Sequence, residues 1–143
     1  MTAARSEQAY TALCSVLERN DIDYQKVKGK NIRCSISGTE KDIQLIFTID
    51  ESKMLVTLYS PVFRDVPPYR ATDIALAICM INHSLTDGML CFDIKEGFVY
   101  FKMTSSFYES GLNSSIFEYM LFVSAEIIEK YSPKIKKLIN AVK

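Results

Sequence analysis

The chain has 143 residues, 48% of them hydrophobic and 24% charged, a balance that excludes the disordered and fibrous classes. Seventeen Lys and Arg residues offset seventeen Asp and Glu residues, so the broad positive field of a non-specific nucleic-acid binder is missing. A chain of this length buries roughly 68–70% of its unfolded surface, which predicts one domain over residues 1–143 without disulfides or metal.

Residues 6–19 place Tyr10, Leu13, Cys14 and Leu17 at helical spacing, with Glu7, Glu18 and Arg19 elsewhere, and predict an amphipathic helix buried along those four. Asn20 and Asp21 end it, because short polar side chains compete for backbone hydrogen bonds. Four strands follow at 24–28, 31–37, 42–49 and 53–60, separated by turn signals at Gly29 with Lys30, from Gly38 to Lys41, and from Asp50 to Ser52. Ile32, Cys34 and Ile36 alternate with Arg33 and Ser35, and Ile43, Leu45, Phe47 and Ile49 alternate in part with Gln44 and Thr48. That pattern predicts an antiparallel meander with one apolar face. Pro61 has no N–H for the ladder and is expected to end the fourth strand.

Asp65 to Pro68 leads into a second helix, which runs to about Leu85 with proline in its first turn. Residues 74–81 carry no polar side chain, so one sheet face cannot cover this helix. Ile74, Ile78, Ile81 and Leu85 form the stripe toward the sheet, and Leu76 and Met80 project from the opposite half near His83. Asp87 and Gly88 stop the helix, and strands at 89–94 and 98–105 flank Lys95, Glu96 and Gly97 in a hairpin. A third helix begins at Asn113, a side chain suited to capping, with Leu112 and Phe117 at hydrophobic-staple positions. Ile116, Met120, Val123, Ile127 and Tyr131 are expected to face inward, leaving Phe122 among Glu118, Glu126 and Glu129. Pro133 is expected to interrupt this helix near Ser132, before a basic turn with Ile135, Leu138 and Ile139. The order α-β-β-β-β-α-β-β-α defines an α+β fold with helices packed on an antiparallel sheet.

Little in the sequence points to bond-making chemistry. Cys14, Cys34, Cys79 and Cys91 form no Cys-x-x-Cys pair and meet a single histidine, so no metal is expected. Each lies in an apolar segment, which predicts packed free thiols and a reducing, cytoplasmic compartment. His83 is the one available base, with Cys79 a turn earlier and Ser84 beside it, but no nucleophile turn or oxyanion hole accompanies them. The acidic pairs Asp50 with Glu51 and Asp93 with Glu96 sit at hairpin turns, where carboxylates ordinarily solvate the turn. Gly29 and Gly38 precede no helix, so no phosphate loop and no cofactor are expected. Lys130, Lys134, Lys136, Lys137 and Lys143 concentrate charge near the C-terminus, where cations complement a helix dipole without any nucleic acid. Tyr59, Phe63, Tyr69 and the strand aromatics Tyr100 and Phe101 offer rings on which bases could stack, but aromatics interspersed in strands more often pack the core. No stretch reaches the roughly 18 apolar residues of a membrane span.

The second half resembles the YbjN-like family, whose fold is similar to that of type III secretion chaperones. The resemblance rests on Ile81, Asn82 and Leu85 at the end of the middle helix, and on Gly88, Phe92, Asp93, Gly97, Val99 and Phe101 in the hairpin. It continues through Gly111, Leu112 and Asn113 into the last helix and Tyr131, Ser132 and Pro133 near its end, covering residues 62–139. All are turn, cap and core positions, so the resemblance implies a type III secretion chaperone-like fold and carries over no catalytic residue. It also implies a small, homodimeric, non-enzymatic protein that binds another polypeptide or serves as an accessory regulator. The zero net charge departs from the acidic character of secretion chaperones.

Leu76, Met80, His83 and Phe122 are the candidate interface residues, being left over once each helix commits a stripe to the sheet. Two arrangements satisfy them: a two-fold contact between middle helices, or residues 61–69 folded over Leu76 and Met80. The function expected is a homodimeric protein-binding module, and the alternative is a small-molecule-sensing regulator with a pocket between sheet and helices.

Overall fold

The computed structural model describes residues 2–108 and 111–141. Lys143 of the C-terminal basic run lies outside them. The elements are α1 (Thr2–Arg19), β1 (Tyr24–Val27), β2 (Asn31–Ile36), β3 (Ile43–Asp50), β4 (Leu55–Phe63), α2 (Ala71–Ser84), β5 (Met89–Asp93), β6 (Phe98–Ser106) and α3 (Ser114–Ile139). A 3-10 turn, Pro68–Arg70, leads into α2. The order is the one read from the sequence.

The strands form one antiparallel sheet in the order β1-β2-β3-β4-β6-β5. Period-two alternation sends Ile32, Leu45, Phe47, Leu58, Val99, Phe101 and Met103 to a single face, where all are fully or nearly fully buried. On that face α3 packs against β4 and β6, with α1 beside it toward β3 and α2 beside it toward β5. Phe47 meets Phe117 of α3 edge-on, with ring centroids 6.4 Å apart. Side chains of this size contribute about 1.5–3 kcal/mol each when buried, so this layer holds the fold. No helix among the described residues packs on the reverse face of the sheet, and its register sets Arg33, Ile46, Tyr59, Lys102 and Met89 in one row.

Two glycines fix the frame of α2. Gly97 has φ +65°, and a Cβ there would stand 2.8 Å from the Val66 carbonyl oxygen, so the β5–β6 turn lies directly against the lead-in to α2. The Val66 amide donates to the Gly97 carbonyl at 2.9 Å. Gly88, at φ +73°, lets the chain leave α2 over the ring of Phe101.

Four expectations are corrected. Helix α1 buries Ser6, Ala9, Leu13, Val16 and Leu17, while Tyr10 and Cys14 are half-buried. Small residues at Ser6 and Ala9 let the backbone approach its neighbours, a contact that a search for bulky side chains overlooks. Helix α3 buries Phe117, Met120, Leu121, Ser124, Ile128, Tyr131, Ile135 and Ile139, whereas Ile116 is 37% exposed and Val123 and Ile127 are half-buried. Pro61 lies inside β4, opposite Tyr100. Pairing with β3 ends at Tyr59, so only β6 flanks β4 there, and the register shifts between Pro61 and Phe63. Pro133 lies inside an unbroken α3, because Ile135 and Ile139 extend the buried stripe beyond it.

Candidate interaction surface

Helix α2 is anchored at both ends and bare between them. At its start the Arg70 side chain is buried, donates to the Ala141 carbonyl after α3, and lies 3.6 Å from Asp73. At its end the Asn82 amide hydrogen-bonds to both backbone groups of Leu90 in β5. Ile74 and Ile78 are buried beneath, with Ile81 and Leu85 half-buried against the same core.

The outer side of α2 presents Leu76, 60% exposed, and Met80, 74% exposed, together with exposed Cys79 and His83. Their i, i+3, i+4, i+7 spacing makes one continuous stripe. Residues 61–69 do not cover it. Phe122 is 46% exposed but stands apart from this stripe. Glu118, one turn before it on α3, pairs with Arg19 of α1. The side of α3 that meets the end of α2 carries Val123, Glu126 and Ile127 instead. Leu76, Met80 and His83 are therefore brought together, and Phe122 is not.

Cys34 is buried, Cys14 and Cys91 are half-buried, and Cys79 is exposed. The expectation that every thiol packs inward fails at Cys79, because an all-apolar helix leaves its buried side to be decided by the isoleucines. Burial pushes the Cys34 thiol up to about 12 and raises Cys14 as well. The Tyr24 hydroxyl donates to Glu18 at 2.6 Å, and that carboxylate holds it in its neutral form well above the usual tyrosine range. Tyr119 is raised in the same way by its 2.9 Å bond to Asp87. These shifts mark structural contacts.

Among the described residues no three His, Cys, Asp or Glu side chains converge as metal ligands would. The junction of α2 and α3 holds a recess of about 240 Å³, lined by Leu85, Asp87, Val123, Glu126, Ile127 and Lys130 among others. Small-molecule sites ordinarily enclose about 300–1,000 Å³. The basic run disperses over the outside of α3, with Lys136 3.7 Å from Glu40 and Lys130 and Lys134 each 5.2 Å from the Tyr131 ring. No helix among the described residues is long and apolar enough to cross a membrane.

Phe101 is buried as expected, but Tyr59 and Tyr100 stand on the open face of the sheet. There Tyr100 stacks on Phe98 at 5.2 Å and meets Tyr59 at 6.2 Å. Strand parity carries the signal for this cluster, since all three positions alternate with the buried Leu58, Val99 and Phe101.

A six-stranded antiparallel sheet with three helices on one face, in this order, is a chaperone-like α+β fold. One chain of the HopA1-SchA chaperone-effector complex is similar with a TM-score of 0.58 and 12% identity, over 89% of this chain and 96% of that one. YbjN, a candidate transcription regulator from E. coli, is similar with a TM-score of 0.61 and 11% identity, over 87% of this chain and 91% of its own. At these identities the likeness shows the fold, and the fold is the one that the resemblance in residues 62–139 implied. No protein-family model matches the sequence, and no curated protein does.

Proposed function

We propose that this chain is a non-enzymatic protein-binding module that acts as a homodimer through α2. The exposed stripe of Leu76 and Met80 carries the reading, because contiguous apolar surface on a helix fixed at both ends marks a contact site. A two-fold axis near Met80 sets the same stripe of each copy against its mate, and each square ångström of apolar surface so covered contributes roughly 25 cal/mol. The likeness to a chain of a chaperone-effector complex supports a polypeptide as the further partner.

Sedimentation velocity on Leu76→Glu combined with Met80→Glu tests this. Both positions face solvent in the single chain, so the fold survives and the far-UV circular dichroism stays as in the wild type. The variant sediments as a monomer and the wild type as a dimer; a variant that stays dimeric overturns the α2 contact.

A further inference from the structure

The open face of the sheet carries an unbroken line of contacts at the β4, β6 and β5 end. The Arg64 guanidinium lies 4.6 Å from the Phe98 ring centroid, Phe98 stacks on Tyr100, Tyr100 meets Tyr59, and the Lys102 ammonium stands 6.0 Å from Tyr59. Arg33 joins the same cross-strand row as Tyr59 and Lys102. No ion pair engages Arg33, Arg64 or Lys102 among the described residues. On this face Asp93, opposite Phe98, accepts from the Glu96 amide in the hairpin, and Asp23 lines a recess with Arg33.

This face therefore combines an apolar strip with three cations that make no ion pair among the described residues. Desolvation first, then neighbours that include Cys91 and Asp93, raises the Tyr100 hydroxyl above its usual value, so Tyr100 is neutral at neutral pH. Resting on the reading that the partner is a polypeptide, we infer that this open face seats an extended partner segment in which every second residue, the set that points at the sheet, is alternately apolar and acidic. Apolar side chains cover Tyr59, Tyr100 and Phe98, and the carboxylates reach Arg64, Lys102 and Arg33. A second copy of the chain fits poorly, because stacking two such faces sets the same three cations against one another. Nucleic-acid bases fit poorly as well, because they need free ring faces, and here Arg64 and Tyr100 already occupy those of Phe98.

Fluorescence anisotropy tests the assignment with three fluorescein-labelled peptides of equal length, in which Ser takes every other position and the positions between are alternately Leu and Glu, Leu and Gln, or Leu and Lys. The Glu peptide binds at least about tenfold more tightly than the Lys peptide, as expected for charge-steered partners. In Arg64→Glu combined with Lys102→Glu the order reverses, and in Leu76→Glu combined with Met80→Glu it is unchanged. Binding of all three peptides without charge order overturns this seat alone. Failure of all three to bind overturns the polypeptide reading with it. Displacement of the Glu peptide by single-stranded oligothymidylate or by phosphatidylglycerol vesicles assigns the face to nucleic acid or to membrane and overturns the proposal.

Discussion

The side-chain amide of Asn82 binds Leu90 twice, Nδ2 donating to its carbonyl at 2.9 Å and Oδ1 accepting from its amide at 2.8 Å. One side chain thus stands in for the missing neighbour of an edge strand, since β5 ends the sheet. Exposed edges template pairing with other chains, and this amide closes the edge at Leu90, the second residue of β5. Asn82→Ala leaves both backbone groups of buried Leu90 unpaired, at a cost of about 1–3 kcal/mol. Urea denaturation reports that loss, and hydrogen exchange at the Leu90 amide rises with it. Unchanged exchange at Leu90 contradicts the edge-closing role.

The four thiols differ in accessibility enough to be ranked. Cys34 is buried and its thiol is pushed up to about 12, so it holds no appreciable thiolate at pH 8, whereas Cys79 faces solvent on α2. Iodoacetamide at pH 8 labels Cys79 first and Cys34 only after unfolding, read by peptide mass spectrometry. In the dimer Cys79 is covered, so it labels more slowly in the wild type than in Leu76→Glu combined with Met80→Glu.

The strands were legible because alternation and turn chemistry are local, and Gly29, Gly38 and Gly97 mark turns that the fold uses. The phases of α1 and α3 were not. In α3 the adjacent pairs Ile116 with Phe117, and Ile127 with Ile128, make an apolar arc wider than the face the sheet can cover. The pattern then allows more than one centre, and small buried residues such as Ser6 and Ser124 decide it through close packing. Pro61 and Pro133 obey local rules that tertiary packing overrides. Leu76, Met80 and His83 were legible as residues left over. The Arg64, Phe98, Tyr100, Tyr59 and Lys102 line is hidden in the sequence because aromatics in strands ordinarily pack the core, and only their parity against buried Leu58, Val99 and Phe101 sets them on the open face.

Pro133 supplies no N–H to the ladder within α3, while the helix continues to Ile139. A proline inside a helix costs about 3 kcal/mol, so Pro133→Ala restores part of that and raises stability by about 1–3 kcal/mol in urea. A destabilised variant shows that the ring makes packing contacts worth more than the lost hydrogen bond.

Asp50 closes the β3–β4 turn, accepting from the Ser52 hydroxyl at 2.7 Å and the Lys53 amide at 3.0 Å. The hydroxyl bond first, then the amide bond, lowers its carboxyl below the ordinary value of 3.8. A depressed folded value gives stability that is present above the unfolded pKa and lost as pH falls through the folded one. Asp50→Ala therefore melts below the wild type at pH 6, and the gap closes toward pH 2. A gap independent of pH contradicts the carboxylate's role.

Solution mass by light scattering across a concentration series tests the α2 contact most directly. The account predicts a concentration-stable mass near twice 16.3 kDa. A mass that stays near 16.3 kDa at every concentration contradicts it, since Leu76 and Met80 then remain exposed without a mate.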